Sequence, residues 1–200
     1  MRGSIILILG GARSGKSAYA QRLAEAHGQP VLFVATATAG DEEMAERIAR
    51  HRAQRPPHWR TLEAPRSVGC ALREAIGEAR VVVVDCVGLL VSNLMMEMEK
   101  ESASVDQIEA RVLHELETII DVCAQQGATL IWVSNEVGMG MVPLYRTGRF
   151  FRDVLGRANQ WLAARADQVV LMVAGIPVTI KGNDQLGGKM ASRDPSAFLA

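Results

Sequence analysis

The segment GGARSGKS, residues 10–17, limits the possible folds most, because it joins an aliphatic, strand-like run to a helix-like segment. It matches the pattern G-x-x-x-x-G-K-[S/T], in which backbone N–H groups at a helix N-terminus surround phosphate oxygens. The lysine of this pattern reaches the β- and γ-phosphates, and its last hydroxyl is a ligand of Mg²⁺. We therefore predict a catalytic Lys16, a metal-ligating Ser17 and a loop that binds a nucleoside triphosphate through all eight residues: Gly10, Gly11, Ala12, Arg13, Ser14, Gly15, Lys16 and Ser17.

Short aliphatic runs alternate with amphipathic segments of helix length, which is typical of an α/β fold with a mainly parallel sheet. The predicted strands are Ile5–Leu9, Val31–Ala35, Val81–Asp85, Thr129–Ser134 and Val169–Val173. The predicted helices are Lys16–Ala26, Asp41–Gln54, Ser67–Gly77, Ser104–Gln126 and Phe150–Ala166. The segment AGIPVTIKG, with a turn signal between two apolar runs, predicts a C-terminal antiparallel hairpin at one sheet edge.

The composition argues against several classes of protein. Hydrophobic residues make up 48% of the 200 residues, which excludes a disordered chain. Lysine plus arginine and aspartate plus glutamate both number 22, so the net charge is zero and we expect no nucleic-acid partner. The three widely spaced cysteines indicate neither a disulfide framework nor a zinc site. No apolar run reaches the roughly 18 residues of a membrane span, and we expect a cytoplasmic protein.

The alternation of strand-like and helix-like segments continues to residue 181 without an internal repeat or an interdomain linker. We therefore predict one nucleotide-binding catalytic domain over residues 1–181. From residue 182 onward the chain is polar and rich in glycine, which predicts a C-terminal tail over residues 182–200.

A carboxylate that can help to hold the metal ion follows the run VVVV, at Asp85. The second acidic motif of phosphate-loop enzymes lies at the carboxyl edge of the sheet, where this strand would end. We therefore predict that Asp85 and Ser17 ligate Mg²⁺ together. The alternative is that Asp85 caps the next helix.

His51 is the candidate nucleophile. Met44, Ile48 and His51 lie on one face of a predicted helix, and four arginines lie within four residues of His51. A neutral imidazole can attack phosphorus and hold the transferred group covalently, while arginines neutralise the phosphate oxygens. The alternative is a partly buried structural histidine whose neighbouring arginines are simply solvated.

The segment NEVGMGMVP, residues 135–143, follows a predicted strand and contains two glycines. A loop at this position lies at the carboxyl edge of the sheet, where active sites of α/β proteins form. Asn135 and Glu136 would there contact substrate or orient a water molecule. The alternative is a helix cap followed by a structural turn.

Several separate stretches resemble one family, the bifunctional adenosylcobinamide kinase / adenosylcobinamide-phosphate guanylyltransferases of cobalamin assembly. The most specific are NEVGMGMVP and the pattern H-x-x-x-R-P-x-x-W that begins at His51. The resemblance extends over about residues 4–181 and is carried by GGARSGKS, FVATA (33–37), DEEMAERIARHRAQRPPHWRTLE (41–63), VVVDCVGLLVSNLM (82–95), VSNEVGMGMVP (133–143) and RFFRDVLGRANQWLAARADQVVLMVAGIPVTIK (149–181).

The resemblance implies two reactions. A nucleoside triphosphate, ATP or GTP, phosphorylates adenosylcobinamide, and GMP then passes from GTP to adenosylcobinamide phosphate, giving adenosylcobinamide-GDP and pyrophosphate. His51 matches the histidine that carries GMP. The other positions that match nucleotide-binding or metal-side residues of the family are Ala35, Thr36, Ala37, Arg52, Ala53, Gln54, Arg55, Glu63 and Asp85.

The resemblance also implies a P-loop NTPase (RecA-like) three-layer fold and a homotrimer whose active sites lie near subunit interfaces. Two other functions fit the phosphate loop alone. One is a small-molecule kinase without guanylyl transfer, in which His51 is structural. The other is a RecA-like nucleotide switch that binds a macromolecule, which the absence of a basic stripe in the sequence disfavours.

Overall fold

The computed structural model of the chain describes residues 3–53, 55–100 and 102–183, without the side chains of Glu43, Arg47 and Lys100. The strands are β1 (Ile5–Gly10), β2 (Val31–Ala35), β3 (Arg60–Glu63), β4 (Val81–Asp85), β5 (Thr129–Val133), β6 (Gln168–Val173) and β7 (Ile176–Lys181). The helices are α1 (Lys16–Ala26), α2 (Glu42–Ala53), α3 (Val68–Ala75), α4 (Val87–Lys100), α5 (Val105–Gln126) and α6 (Arg146–Arg165).

The strands form one seven-stranded sheet in the order β3-β2-β4-β5-β1-β6-β7. Every neighbouring pair up to β6 is parallel, and β6 pairs with β7 in the antiparallel direction. This arrangement confirms the predicted mainly parallel sheet with an antiparallel hairpin at one edge. It also places the carboxyl ends of the first six strands along the same side of the molecule.

Apolar side chains cover both faces of the sheet because alternate strand residues point to opposite sides. On one face, Ile6 and Ile8 of β1 pack in a cluster with Tyr19 and Leu23 of α1. On the other face, Leu7 belongs to a larger cluster to which α3, α4, α5 and α6 all contribute buried residues. The chain therefore forms three layers, with helices on both sides of the sheet, as the family resemblance implied.

Two elements and one helix start differ most from the sequence prediction, while the other boundaries agree within two residues. Strand β3, with the sequence RTLE, is too polar to be recognised from an apolar run, and only its Leu62 packs against the core. Helix α4 carries apolar residues through most of VGLLVSNLMM, so it lacks the alternation that reveals a surface helix. Helix α6 begins at Arg146 rather than at Phe150, because its polar first turn gives no apolar signal.

The ends of two helices follow from local sequence. Asp41 caps α2, since its Oδ1 accepts a hydrogen bond from the Met44 backbone at 2.7 Å. Ser104 and Gln107 form a reciprocal capping box at the start of α5, and Gly127 ends that helix in the left-handed conformation, with φ 66°.

Along the described residues, no helix combines the length and the apolar character needed to cross a bilayer. The single domain over residues 1–181 remains a prediction. Of the predicted tail, Gly182 and Asn183 are described, and residues 184–200 lie outside the described part of the chain.

Candidate active site

The candidate site forms where the parallel strands end. The phosphate loop follows β1, Thr36 follows β2, and Asp85 is the last residue of β4. These strands lie within four neighbouring positions of the sheet, so their carboxyl ends meet at one edge. The structure therefore brings together segments that are up to about 75 residues apart in the sequence.

The phosphate loop keeps its shape because two positions require glycine. Gly10 has a φ of 154°, and a Cβ atom there would lie 2.6 Å from the Ser14 hydroxyl oxygen and 2.7 Å from the Met172 carbonyl oxygen. Gly15 has a φ of 90° and would place a Cβ atom 3.3 Å from the Gly175 backbone. A larger residue at either position would strain the backbone and widen the loop.

Lys16 and Ser14 turn polar groups toward the interior of the loop. The Lys16 ammonium donates a hydrogen bond to the Gly11 carbonyl at 2.6 Å, and the residue is 8% exposed. The Ser14 hydroxyl is buried and has no hydrogen-bond partner among the described residues. Since a buried hydroxyl without a partner is costly, its position fits a loop built to receive an anion. Gly11, Ala12 and Arg13 form the exposed rim.

Asp85 is the centre of the electrostatic arrangement. The Ser17 hydroxyl donates a hydrogen bond to its carboxylate, so the two predicted metal ligands lie side by side. Although part of the residue is accessible, the surrounding protein desolvates the carboxylate and raises the pKa of Asp85. The hydrogen bond from Ser17 and the nearby basic groups of His51, Arg55 and Lys16 lower that pKa.

The alternative role of Asp85, as a cap for α4, is not the one its contacts favour. The backbone N–H groups of Gly88 and Leu89 hydrogen-bond to the side chain of Cys86, which occupies the capping position. Burial raises the pKa of the Cys86 thiol to about 11, so this side chain is neutral near pH 7. The Asp85 carboxylate remains directed at the loop and its cations.

Thr36 fixes the backbone that carries Asp85. Its hydroxyl accepts a hydrogen bond from the Cys86 N–H and donates one to the Cys86 carbonyl, both at 2.8 Å. The Asn93 amide of α4 donates to the carbonyls of Thr36 and Pro65, at 2.9 and 3.0 Å. Within the predicted stretch 35–37, Ala35 and Thr36 are buried. These two residues therefore hold the backbone of the site in place and do not form its surface.

His51 lies in the last turn of α2 and is half-buried, so it is reachable from solvent. Met44 and Ile48 are also half-buried, as expected for one face of this helix. His51 is close enough to Asp85 to influence the pKa of that carboxylate, so this histidine lies near the phosphate-loop site. Ala53 is exposed, and Gln54 lies outside the described residues.

Arg52 and Arg55 connect the end of α2 to the sheet. Arg52 forms an exposed ion pair with Glu63 of β3 at 3.2 Å. The Arg55 guanidinium lies 3.8 Å above the centre of the Phe33 ring and donates a hydrogen bond to the Thr61 hydroxyl at 3.4 Å.

Partial burial lowers the pKa of Arg55, while the charges of Asp85 and Glu63 raise it. Arginine nevertheless stays protonated in proteins, so Arg55 brings a fixed positive charge close to Asp85.

The loop after β5 is tied to the phosphate loop. The Glu136 backbone N–H donates to the Gly10 carbonyl at 2.9 Å. Behind it, the buried Ser134 hydroxyl donates to the Asn159 side-chain oxygen at 2.6 Å, and the Asn159 amide donates to the Asn135 carbonyl at 3.0 Å. The interpretation of this segment as an active-site loop is therefore supported by its position.

Sequence reasoning missed the supporting residues Asn93 and Asn159. Each is a polar residue on the core-facing side of a helix, 7% and 6% exposed respectively. A single asparagine inside LLVSNLMM was the available signal for Asn93. A pattern of apolar residues identifies the buried face of a helix, but it gives no role to a single polar residue within that face.

Ser17 and Asp85 are suitable ligands for Mg²⁺. Both offer oxygen atoms, and the hydrogen bond between them shows that their oxygens are close enough to contact one ion. Within the described residues there is no group of three or more histidine, cysteine, aspartate or glutamate side chains that could hold a metal. Mg²⁺ does not need one, since it is commonly bound by one or two protein ligands plus phosphate oxygens.

The fold and the site define a P-loop nucleotide-binding protein of the three-layer α/β class. The family model "Cobinamide kinase / cobinamide phosphate guanyltransferase", CobU, matches residues 6–180. The chain therefore belongs to this family of bifunctional enzymes, which confirms the predicted resemblance.

Two curated relatives agree with this membership. The bifunctional adenosylcobalamin biosynthesis protein CobP of Pseudomonas aeruginosa is 43% identical over 176 residues, covering 88% of this chain and 96% of the relative. The bifunctional adenosylcobalamin biosynthesis protein CobU of Escherichia coli K12 is 41% identical over 181 residues, covering 88% of this chain and 99% of the relative. In a comparison of structures, the RadB recombinase aligns with a TM-score of 0.48 and 16% identity, covering 85% of this chain and 74% of that chain.

Proposed function

We propose that this chain carries out both reactions of its family at one nucleotide site. It phosphorylates the aminopropanol hydroxyl of adenosylcobinamide with ATP or GTP, and it then transfers GMP from GTP to adenosylcobinamide phosphate. One observation carries the proposal: the side chains of Lys16, Ser17, His51 and Arg55 all act on the single carboxylate of Asp85. A phosphate-binding loop and a candidate nucleophile thus share one small region.

In the kinase reaction, the backbone N–H groups of the phosphate loop and the Lys16 ammonium bind the β- and γ-phosphates. Ser17 and Asp85 would hold Mg²⁺, which neutralises phosphate charge when it is bound. The substrate hydroxyl oxygen bonds to the γ-phosphorus, the bond to the β-γ bridging oxygen breaks, and the hydroxyl proton is released. Positioning and charge neutralisation supply most of such a rate enhancement.

In the guanylyl reaction, an imidazole nitrogen of His51 bonds to the α-phosphorus of GTP, and pyrophosphate leaves with the electron pair of the broken P–O bond. Arg55 neutralises the phosphoryl oxygens as charge develops. A phosphate oxygen of adenosylcobinamide phosphate then displaces His51 from phosphorus. The products are adenosylcobinamide-GDP and the regenerated histidine.

The remaining predicted nucleotide contacts surround these groups. Arg52 and Glu63 lie together beside Arg55, where they can contact the ribose or the phosphates. The backbone of residues 35–37 adjoins Asp85 through the Thr36 hydrogen bonds. We include Ala53 and Gln54 in the nucleotide-binding segment because they join the helix that carries His51 to Arg55.

We also propose a homotrimer that works in the cytoplasm. Strand β7 is the end strand of the sheet and exposes Ile176, Val178 and Ile180, at 65, 47 and 60%. An exposed apolar edge strand is a surface that another protein chain can cover. Sedimentation analysis should give three times the mass of the chain, and Val178→Lys should lower that mass.

The central test uses GTP labelled at the α-phosphate. The wild-type protein should acquire label that is stable to base and labile to acid, as a phosphoramidate is, and His51→Ala should acquire none. His58→Ala is the matched control, because His58 is an exposed histidine of the same segment, and it should still be labelled. Label retained in His51→Ala contradicts the proposed nucleophile.

The same experiment distinguishes the two alternative functions. Phosphorylation of adenosylcobinamide without any protein label in the wild type would indicate a kinase that lacks guanylyl transfer. Nucleotide hydrolysis that is independent of adenosylcobinamide, with no label, would indicate a nucleotide switch.

A further inference from the structure

The segment Val137–Tyr145, VGMGMVPLY, is apolar and uncharged, and all of it except the half-buried Val137 and Pro143 is exposed. Such a concentration is unusual, because exposed apolar side chains on soluble proteins are normally scattered. The most exposed of its side chains are Met139 (81%), Met141 (95%), Val142 (62%), Leu144 (89%) and Tyr145 (81%).

The protein holds this segment in its exposed conformation. The Arg149 guanidinium of α6 donates hydrogen bonds to the carbonyls of Pro143 and Leu144, at 3.0 and 2.7 Å. Gly148 allows the close approach of Pro143, since a Cβ atom at Gly148 would lie 2.9 Å from the proline ring. The Gly138 backbone N–H donates to the Glu136 carboxylate at the other end of the segment. These contacts fix the backbone of the segment and so keep its apolar side chains at the surface.

The same segment lies beside the phosphate loop. Glu136 is bonded to Gly10 through its backbone, and Met139 follows three residues later. Three residues span at most roughly 10 Å, so the apolar surface begins within that distance of the loop. A substrate that rests on the segment could therefore place a hydroxyl or phosphate group near the bound nucleotide.

We propose that Val137–Tyr145 binds the corrin ring of adenosylcobinamide and of its phosphate. This inference rests on the proposed function, which requires a large macrocycle next to the nucleotide. The broad apolar surface of a corrin ring is matched by exposed leucine, valine and tyrosine side chains. The methionines add adaptability, because their unbranched side chains adjust to an irregular surface.

A second copy of the chain fits this segment less well. Stable protein interfaces bury about 800 Å² on each partner, and five side chains on one short segment supply only part of that area. Among the described residues, strand β7 lies at the edge of the sheet and exposes apolar side chains, and a sheet edge can pair with another chain, which the segment cannot. A nucleotide is also a poor occupant, because Val137–Tyr145 carries no positive charge.

Equilibrium dialysis with adenosylcobinamide, without nucleotide, tests the inference directly. The double variant Met139→Ser/Leu144→Ser should bind adenosylcobinamide roughly tenfold more weakly or worse, since each apolar side chain loses its burial against the ring. Met141→Ser alone should weaken binding by a smaller factor. Met96→Ser is the control, because Met96 is an exposed methionine of α4 outside the segment, and its binding should equal that of the wild type.

Two further measurements decide the interpretation. Labelling of His51 by GTP needs no corrinoid, so it should persist in the double variant and show that the nucleotide site is intact. Sedimentation analysis should give the wild-type mass. Unchanged dialysis binding in both segment variants overturns the inference, and so does a reduced mass, which would make the segment a subunit contact. Failure of the wild type itself to bind adenosylcobinamide would instead refute the proposed function.

Discussion

Helices α1 and α2 each carry a residue of the proposed chemistry, and they differ in how firmly the protein holds them. Helix α1, which begins at Lys16, buries Tyr19, Ala20, Leu23 and Ala24 against the sheet. Among the described side chains of α2, none is buried, and His51 is half-buried. Since a large buried side chain such as Tyr19 or Leu23 contributes about 1.5–3 kcal/mol, α1 is anchored much more strongly than α2.

This difference suggests a division of labour. The loop before α1 must hold phosphates in one geometry, and a packed helix gives it a rigid base. In the proposed reaction, His51 first attacks the α-phosphorus of GTP and then presents GMP to a second substrate. A helix held mainly at its end, by the contacts of Arg52 and Arg55, suits a residue that meets two partners.

The largest expected effect is that of Lys16→Ala. If the phosphate loop alone holds the triphosphate, this change should reduce both phosphorylation and guanylylation by roughly 100-fold or more, because one charged donor is lost from the transition state. Both rates can be measured on the same preparation, with thermal unfolding as the control for folding. Normal guanylylation in Lys16→Ala would show that the α2 region holds GTP by itself, and the division of labour would be wrong.

Changes at Arg55 should separate the two reactions. Arg55→Ala should slow guanylylation by about 10- to 100-fold, because the charge that faces the transferred phosphoryl group is lost. Arg55→Lys should recover part of the rate, since it keeps the charge but loses the planar contact with Phe33. Phosphorylation, measured alongside, should change less. Equal losses in both reactions would contradict the assignment of Arg55 to the histidine step.

The sequence predicted the elements whose burial pattern is simple. Strands β1, β2 and β4 are buried along nearly their whole length, so their apolar runs were sufficient evidence. Strand β3 was missed because its stability comes from pairing with β2 and from contacts such as Arg60 with the Ala75 carbonyl, which no local pattern reveals.

The parts of the site that lie in one continuous stretch of sequence could be predicted, and the parts that depend on distant partners could not. The phosphate loop is a continuous motif, so its eight residues could be named from spacing alone. From the sequence, His51 fits both a nucleophile and a structural residue, and the fold adds only that it lies close enough to Asp85 to influence that carboxylate. The supports Asn93 and Asn159 act through backbone carbonyls distant in sequence, and only the folded chain brings those partners together.

Asp85→Asn should have opposite effects on activity and on stability. Removing the carboxylate should raise the Mg²⁺ concentration needed for both reactions by about tenfold. In metal-free buffer the variant should be more stable near neutral pH, by on the order of 1 kcal/mol or less, because the wild type buries a charge at a partly accessible position. Mg²⁺ titrations and thermal unfolding in a chelator measure the two effects.

The pH dependence of unfolding tests why Asp85→Asn should be more stable than the wild type. Folding raises the pKa of Asp85 above its value in the unfolded chain. The wild type therefore loses stability as the pH rises from the Asp85 pKa of the unfolded chain to that of the folded protein. The advantage of Asp85→Asn should therefore appear above that interval and vanish below it. An advantage independent of pH would mean that desolvation of the charge is not its cause.

Glu63→Gln should have the smallest effect, and it tests how lightly the end of α2 is held. The ion pair between Arg52 and Glu63 is exposed, at 68 and 59%, so its loss should lower the free energy of unfolding by about 0.5 kcal/mol or less. That difference should disappear near 1 M salt, where the Debye length is about 3 Å. The KM for GTP in guanylylation should rise by about two- to threefold, because Arg52 and Arg55 lose a carboxylate that orients them. A large loss of stability would show that this contact anchors α2 as firmly as the core anchors α1, and the contrast between the two helices would fail.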